Sequence, residues 1–378
     1  MSAVLPDRRP APVPLPAARM CTATTTIALG LVGPGKVGRA WLAQWAQAAP
    51  RLREQGIDLV LRGLIDRRRM WLGASRGEPD ALMRDFESSP VPDLHRFGPH
   101  LVDEGRLHAV VVDCSGSDAV ADHYARWLGQ GMHVVTPGKH AGSGPIKRWR
   151  AIRDATRDGG RFRHEASVGA GLPVIQTLRS QIDTGDALLD VEGVLSGTLA
   201  WLFNRYDGSV PFSALLREAH DLGYTEPDPR DDLSGLDVAR KLVILAREAG
   251  HPLSLADVSI ESLVPESLRD IPLDAFLARL DEFDVPMAAR LFAARAERRV
   301  LRYTARFDGD GARVALSRVQ ADAAAAHGRL TDNVIQLRTR RYADNPLVVQ
   351  GPGAGPEVTA AGVFGDVLAI AHHLGARL

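Results

Sequence analysis

Two regimes of hydrophobic patterning divide the chain. Between residues 27 and 169, short unbroken apolar runs at 27–32, 57–65, 109–113 and 132–135 alternate with segments of helical spacing such as Ala40, Leu42, Ala43 and Ala46. Runs of that length predict strands buried on both faces, and their alternation with helices predicts a doubly wound parallel sheet. From 189 onwards the pattern changes. Strands at 189–195, 300–307, 313–319, 334–339 and 347–350 flank a helical middle, and several alternate apolar with polar residues. That predicts a second, α+β region whose sheet has one face solvated or covered by a partner. Helices are expected over 145–158, 173–182 and 358–374. Residues 71–105, broken by Pro90, Pro92 and Pro99, read as short helices and loops.

Composition narrows the class. Lys plus Arg and Asp plus Glu are 46 each, so no global field draws nucleic acid or an anionic membrane, and a small-molecule partner is expected. No apolar run reaches the roughly 20 residues a membrane span needs. The chain has two cysteines, Cys21 and Cys114, too few for a disulfide framework, which places it in a reducing compartment, the cytoplasm by default. Residues 1–25, rich in Pro and Ala without periodicity, read as a disordered extension, and Met20 is an alternative start.

The first strand runs straight into Gly33-Pro34-Gly35-Lys36-Val37-Gly38 and a helix. In that setting GxGxxG marks a Rossmann-type dinucleotide turn: Gly33 makes the bend, Gly35 admits the pyrophosphate, and Gly38 lets the helix pack while its amides face the phosphates. Asp66, at the end of the second strand, suits the adenosine ribose hydroxyls of NAD, whereas Arg67, Arg68 and Arg69 suit the 2′-phosphate of NADP. Asp66 lies 28 residues past Gly38 rather than about 20. NAD and NADP therefore both stay open, with a simple turn former as the plain alternative for Asp66.

Further candidates lie at strand ends. Cys114 and Ser115 follow the 109–113 strand where open sheets bind ligands. Lys139, in Thr136-Pro137-Gly138-Lys139-His140, would stand near the reacting end of a cofactor. Glu165 ends a strand and leads into the small-residue loop Ala166-Ser167-Val168-Gly169-Ala170-Gly171-Leu172-Pro173, a hinge or ligand loop. A glycine loop ending at Gly355 opens the last helix and offers backbone amides to the cofactor. His372 and His373 are adjacent in that helix and point apart, so they make poor joint metal ligands.

The densest charge lies in residues 223–241, GYTEPDPRDDLSGLDVARK. In a helix expected to open near Leu233, Asp237 and Lys241 are four apart and share a face, beside the apolar stripe of Val238, Leu242 and Leu245. Alone, that is a surface ion pair. With Glu226, Asp231 and Asp232 ahead of it, carboxylates can hold an ammonium group while a lysine handles a hydroxyl or carbonyl.

These motifs together resemble homoserine dehydrogenases, namely the dehydrogenase half of the bifunctional aspartokinase–homoserine dehydrogenases and the fungal monofunctional enzymes. The resemblance covers about 27–378 and rests on the Gly33–Gly38 turn, Val134 to Lys139, Glu165 to Pro173, the 223–241 stretch, and Gly353-Ala354-Gly355 with Val358 to Phe364. It implies NAD(P)-dependent interconversion of L-aspartate 4-semialdehyde and L-homoserine, on the way to threonine and methionine. It implies Lys241 and Lys139 as catalytic lysines, with Asp237 orienting the substrate hydroxyl, and Glu226, Asp232, Gly193 and Thr198 around the substrate. Cofactor contacts would come from Gly33, Gly35, Lys36, Val37, Gly38, Asp66, Arg67, Cys114, Ser115, Lys139 and Gly355. A monovalent cation, usually sodium, would be held by the Glu165 carboxylate and the carbonyls of Val168, Ala170 and Leu172; oxygen-only ligation suits so hard an ion.

The implied organisation is a dinucleotide-binding domain over 26–169 completed by 351–378, a substrate and dimerisation domain over 170–350, and a homodimer. Gly138-Lys139-His140 stands where the family often has Asn-Lys-Lys. With no aspartokinase domain ahead and no room for a C-terminal ACT domain, feedback inhibition through such a domain is not expected. Two rivals remain from the sequence: a dehydrogenase of another amino-acid semialdehyde, and a non-catalytic dinucleotide-binding protein.

Overall fold

A computed structural model describes residues 24–102 and 108–376. The expected disordered extension, Met20 and Cys21 fall almost wholly outside them. The first sheet holds β1 (Thr25–Val32), β2 (Ile57–Ile65), β3 (Met70–Ser75), β4 (Ala109–Asp113), β5 (His133–Val135) and β6 (Phe162–Arg163), in the order β3-β2-β1-β4-β5-β6. All neighbours are parallel except β3, which runs antiparallel to β2.

Period-two alternation in β1 divides the core. Ile27, Leu29 and Leu31 pack with Trp41 and Trp45 of the helix Lys36–Glu54 and with Val363, Val367 and Ile370 of the helix Pro356–His373. Ala28 and Val32 face Phe97, Leu101, Tyr124, Trp127 and Ile152 on the other side. The sheet is thus covered on both faces, which explains its unbroken apolar strands. Each such large side chain, fully buried, stabilises the fold by about 1.5–3 kcal/mol.

The second sheet holds β7 (Leu188–Val194), β8 (Val258–Ile260), β9 (Arg299–Asp308), β10 (Gly311–Gln320), β11 (Asp332–Thr339) and β12 (Leu347–Pro352), in the order β12-β11-β7-β9-β10-β8. Helices cover one face, where Leu301, Tyr303, Ala305 and Phe307 of β9 join a core with Leu242 and Leu245. The other face carries polar pairs: Thr304 with Ser317 (2.8 Å) and Arg306 with Glu192 (3.5 Å). No helix among the described residues is long and apolar enough to cross a membrane.

Three expectations need correction. The supposedly irregular 71–105 segment begins with β3, an edge strand turned back by Asp66, whose Oδ1 accepts the amides of Arg68 (2.7 Å) and Arg69 (2.8 Å). Apolar periodicity cannot reveal a strand that short and half-exposed. Glu165 does not end a strand; β6 stops at Arg163, and Glu165 opens a 3-10 turn, Glu165–Ser167. Nor does one helix open near Leu233. A short helix, Pro229–Leu233, stops and a second, Leu236–Glu248, begins after Gly235. Gly235 has φ +74°, and a Cβ there would meet the Tyr303 hydroxyl at 1.9 Å, so the break needs glycine.

Candidate active site

The helix Leu236–Glu248 lies on the second sheet, with Leu242, Val243, Ile244, Leu245 and Ala246 fully buried. Its solvent edge carries Asp237. One carboxylate oxygen is 3.0 Å from Lys139 Nζ, and the other is 2.9 Å from Lys241 Nζ. Lys139 arrives from the carboxyl end of β5 in the first sheet, so Asp237 joins the two halves. Lys241 Nζ also donates to the Leu195 carbonyl at 2.6 Å, just beyond β7. Burial alone would raise the Asp237 carboxyl; the ammonium groups of Lys241 and Lys139 outweigh it and hold the carboxyl well below the usual carboxylate range. Lys241 is itself buried. Loss of solvent lowers its pKa, Asp237 opposes that, and Lys139 lowers it further, with a net downward shift. That shift moves Lys241 toward a group that can exchange a proton.

Asp232 forms a second cluster beside the first. Its Oδ2 accepts the Glu226 amide (2.8 Å), and its Oδ1 lies 2.8 Å from Thr198 Oγ1, which also reaches the Tyr224 carbonyl (2.7 Å). Burial pushes the Asp232 carboxyl up to about 6 against those two hydrogen bonds, and the charges of Glu226 and Asp237 add to the rise. The Glu226 side chain is exposed. Gly193 lies inside the sheet, where a Cβ would meet the Val334 carbonyl at 2.4 Å; close strand approach accounts for the glycine. Of the remaining charges, Asp228 caps the Pro229–Leu233 helix and pairs with Arg230, which also donates to the carbonyls of Leu268, Arg269 and Ile271. Those two residues hold the loop's shape.

At the carboxyl ends of β1, β2 and β4, the Gly33 amide bonds the Ile65 carbonyl and the Cys114 amide bonds the Val32 carbonyl, both at 2.8 Å. Gly33 has φ +81°, and a Cβ there would strike Ser115 Cα at 2.5 Å; one on Gly38 would strike the Gly33 carbonyl at 2.4 Å; one on Gly35 meets nothing. That is the signature of a turn packed on two sides and open on the third. The helix behind it has no acidic residue in its first turn and no side-chain cap, leaving its amides to an anion, with Lys36 exposed beside them and Val37 packed inward. These residues fit a dinucleotide pyrophosphate. Asp66 keeps Oδ2 clear of its own turn, and Arg67 is exposed next to it. Gly355, φ +121°, opens the 356–373 helix. The Cys114 thiol is pushed far up by burial and by Asp113, so it offers no nucleophile.

The Glu165 carboxylate accepts the amides of Ile175 (2.7 Å) and Gln176 (2.8 Å) at the start of the helix Val174–Asp183. Burial and the neighbouring charge of Asp366 nevertheless push it up to about 7. Beside it Gly169 and Ala170 both have positive φ, 78° and 52°, and a Cβ on Gly362 would come within 2.8 Å of the Ala170 carbonyl. The Leu172 carbonyl accepts the Val174 amide. The Arg179 guanidinium only partly offsets the rise at Glu165; the loop offers oxygen donors around a carboxylate still raised by burial, which suits a monovalent cation better than a transition metal. Among the described residues no group of three His, Cys, Asp or Glu forms a metal cluster.

Several working residues carry no sequence signal. The Leu195 carbonyl is one. Asp113 is another: it ends β4 buried, bonds the Ser115 amide (2.8 Å) and the Tyr124 hydroxyl (2.5 Å), and so fixes the turn against Gly33. Its place at the end of AVVVD is the only hint. Arg247 donates to the carbonyls of Gly142 and Gly144, both at 2.9 Å, and holds the short helix His140–Ser143 that Lys139 precedes.

A dinucleotide-type turn in a doubly wound sheet facing a lysine-aspartate-lysine cluster on a second sheet is an arrangement of the dehydrogenase kind. Comparison with known proteins is more specific. Residues 33–165 match the family model "Homoserine dehydrogenase, NAD binding domain" and residues 173–368 match "Homoserine dehydrogenase". The homoserine dehydrogenase of Emericella nidulans is 40% identical over 92% of this chain and 99% of its own length. The bifunctional aspartokinase/homoserine dehydrogenase 1 of Zea mays, a chloroplastic protein, is 42% identical over 95% of this chain, which spans 40% of that relative's length. A Candida auris protein of unknown function superposes with a TM-score of 0.83 at 34% identity, covering 92% of this chain and 98% of its own. A hyperthermophilic archaeal homoserine dehydrogenase in complex with NADPH shares the fold, with a TM-score of 0.69 at 22% identity over 92% of this chain and 98% of its own. The chain belongs to the homoserine dehydrogenase family.

The elevated Asp232 carboxyl generates a pH prediction. An ammonium group pairs with it only in the ionised form, so kcat/KM for an amino-acid substrate falls as pH drops through about 6. Asp232→Asn is expected to lose about tenfold in kcat/KM, a charge-assisted hydrogen bond's worth, and to lose that acid limb. An unchanged limb in the variant's pH profile rules Asp232 out as its source.

Proposed function

We propose that this chain catalyses the NAD(P)-dependent interconversion of L-aspartate 4-semialdehyde and L-homoserine in the route to threonine and methionine. The observation that carries the reading is the Lys139–Asp237–Lys241 cluster at the meeting of the two sheets. Residues 26–169, completed by the 356–373 helix, hold the dinucleotide, and residues 170–350 hold the substrate. Bound NAD(P)H supplies the hydride. Lys241 protonates the oxygen that becomes the homoserine hydroxyl, and in the reverse direction it takes that proton back. Lys139 keeps the site electropositive where negative charge develops on oxygen. Asp237 orients both lysines and the hydroxyl, while Asp232, Glu226 and Thr198 hold the ammonium end. A reducing compartment such as the cytoplasm suits the single described thiol, which is free. A homodimer would form through the polar face of the second sheet that helices leave open.

Initial rates with L-homoserine and NAD or NADP, and with aspartate semialdehyde and the reduced cofactors, test substrate and cofactor together. Lys241→Ala should lower kcat by about 10²–10⁴ while the variant stays folded; wild-type turnover by it removes Lys241 from the mechanism. At the cofactor end, Asp66→Ser should shift the NAD/NADP ratio of kcat/KM toward NADP by about tenfold, the loss of one hydrogen bond to a charged acceptor. A constant ratio would leave Asp66 as a turn former.

We also infer that the Glu165 loop holds a sodium-like cation. A carboxyl raised from its ordinary value to about 7 costs the native state stability as pH climbs to 7, and that loss persists above it. A cation beside the carboxylate offsets the loss. Sodium chloride, compared with choline chloride at equal ionic strength, should therefore raise Tm at pH 8 and hardly at pH 5.5, with no such difference in Glu165→Gln. Equal responses to the two salts would count against the site.

A further inference from the structure

The helix Asp284–Ala296 rests on the second domain through Met287 and Ala294, which are buried. The opposite side should be polar, since it meets solvent. It is not. Val285 is 80% exposed and Phe292 78% exposed, and Ala288, Ala289 and Ala296 are exposed on the same ridge. Positions 285, 288, 289, 292 and 296 fall on one helical face. Isolated exposed apolar residues are ordinary, but a continuous ridge along three turns marks a contact surface. None of its members belongs to the cofactor, substrate or cation sites.

The charges at its two ends select the occupant. Asp281 and Glu282 lie at the N-terminal end, Glu282 also pairing with Arg279 at 2.6 Å, and Arg295, Arg298 and Arg299 at the C-terminal end, where Arg295 also donates to the Asp207 carbonyl and Arg299 pairs with Glu297 at 3.7 Å. Arg290, on the flank, is already paired with Glu261 at 2.5 Å. Placing a two-fold axis between Ala288 and Ala289 runs two copies of the helix antiparallel. Phe292 of one copy then packs on Val285 of the other, alanine meets alanine at the centre, and Arg295 faces Asp281 and Glu282. Small residues at the crossing allow axes about 8 Å apart. A parallel arrangement would stack Phe292 on Phe292 and set like charges together at both ends, so the self-complementary, isologous pairing is the one the ridge fits.

We propose that the 284–296 helix is a self-association surface that docks antiparallel on the same helix of a second copy of this chain. The surface is separate from the open face of the second sheet. If that face makes the homodimer, the helix contact joins two dimers; if it does not, the helix contact makes a dimer. One helix face is a small interface, so the association lies at the weak end, with Kd on the order of micromolar.

Sedimentation velocity on the full chain, from about 1 to 100 μM to bracket that Kd, tests the proposal. The parent should gain mass with concentration, and Phe292→Glu should hold half the parent's limiting mass with kcat per chain unchanged. Arg295→Glu should weaken association at least tenfold, and adding Asp281→Arg to it should restore association, because the swap rebuilds both end pairs of a two-fold contact. A Phe292→Glu mass equal to the parent's at every concentration overturns the proposal, as does a failure of Asp281→Arg to rescue Arg295→Glu. Flotation of the parent but not Phe292→Glu on liposomes, with no change in mass, overturns it too, by assigning the ridge to a membrane surface.

Discussion

Asp237, held between Lys139 and Lys241, is the contact on which the arrangement of this molecule turns. A carboxylate flanked by two ammonium groups is common on protein surfaces and contributes little there. Here one lysine follows β5 of the first sheet, the other is buried in the helix that also carries Asp237, and the Lys139–Asp237 salt bridge spans the two halves. The two ends of the helix Leu236–Glu248 do different things. Its start carries the half-exposed Asp237, one turn before the buried Lys241. Its buried end anchors the whole.

That anchorage has two arms. Arg247 grips the carbonyls of Gly142 and Gly144, in the segment just after Lys139. Glu248, fully enclosed, takes His164 Nε2 at 2.8 Å and Arg179 Nε at 2.6 Å. Burial would raise its carboxyl, and Arg179 together with His164 outweighs that and keeps it ionised. Removing one partner from such a pair typically costs about 3–5 kcal/mol, because a charge is left buried alone. His164 and Ser167 border the oxygen-lined loop at Glu165, so the same helix end touches both the lysine segment and that loop. A shift of this helix along its axis would disturb all three together.

Much of this was legible in the chain, for reasons that differ from place to place. The glycine turn at Gly33 could be read because its constraints are local: a bend, a close approach and an exposed helix start within six residues. The doubly wound sheet could be read because two-sided burial forces unbroken apolar strands. The edge strand β3 could not, since its pairing depends on a turn that Asp66 makes with the amides of Arg68 and Arg69, and its own residues are half solvated. The break at Gly235 was hidden for a similar reason: the apolar stripe continues across it, and only Tyr303, from β9, shows why glycine is required. Asp237 and Lys241 looked like any i,i+4 pair; what separates them from one is Lys139, brought in by the topology. The Leu195 carbonyl, a backbone acceptor, leaves no trace in residue identity at all.

The two lysines are not redundant. Were Asp237 paired with Lys241 alone, loss of the Lys241 proton would leave the carboxylate without a cation partner, and the next proton would be drawn to Asp237. With Lys139 on its other oxygen, Asp237 keeps an ammonium partner whichever state Lys241 is in. Lys139 also lowers the Lys241 pKa while Asp237 raises it, so the proton is held less tightly than a lone buried ion pair would hold it. In the proposed reaction Lys241 both gives and takes a proton, and a carboxylate shared between two ammonium groups loosens its hold on that proton.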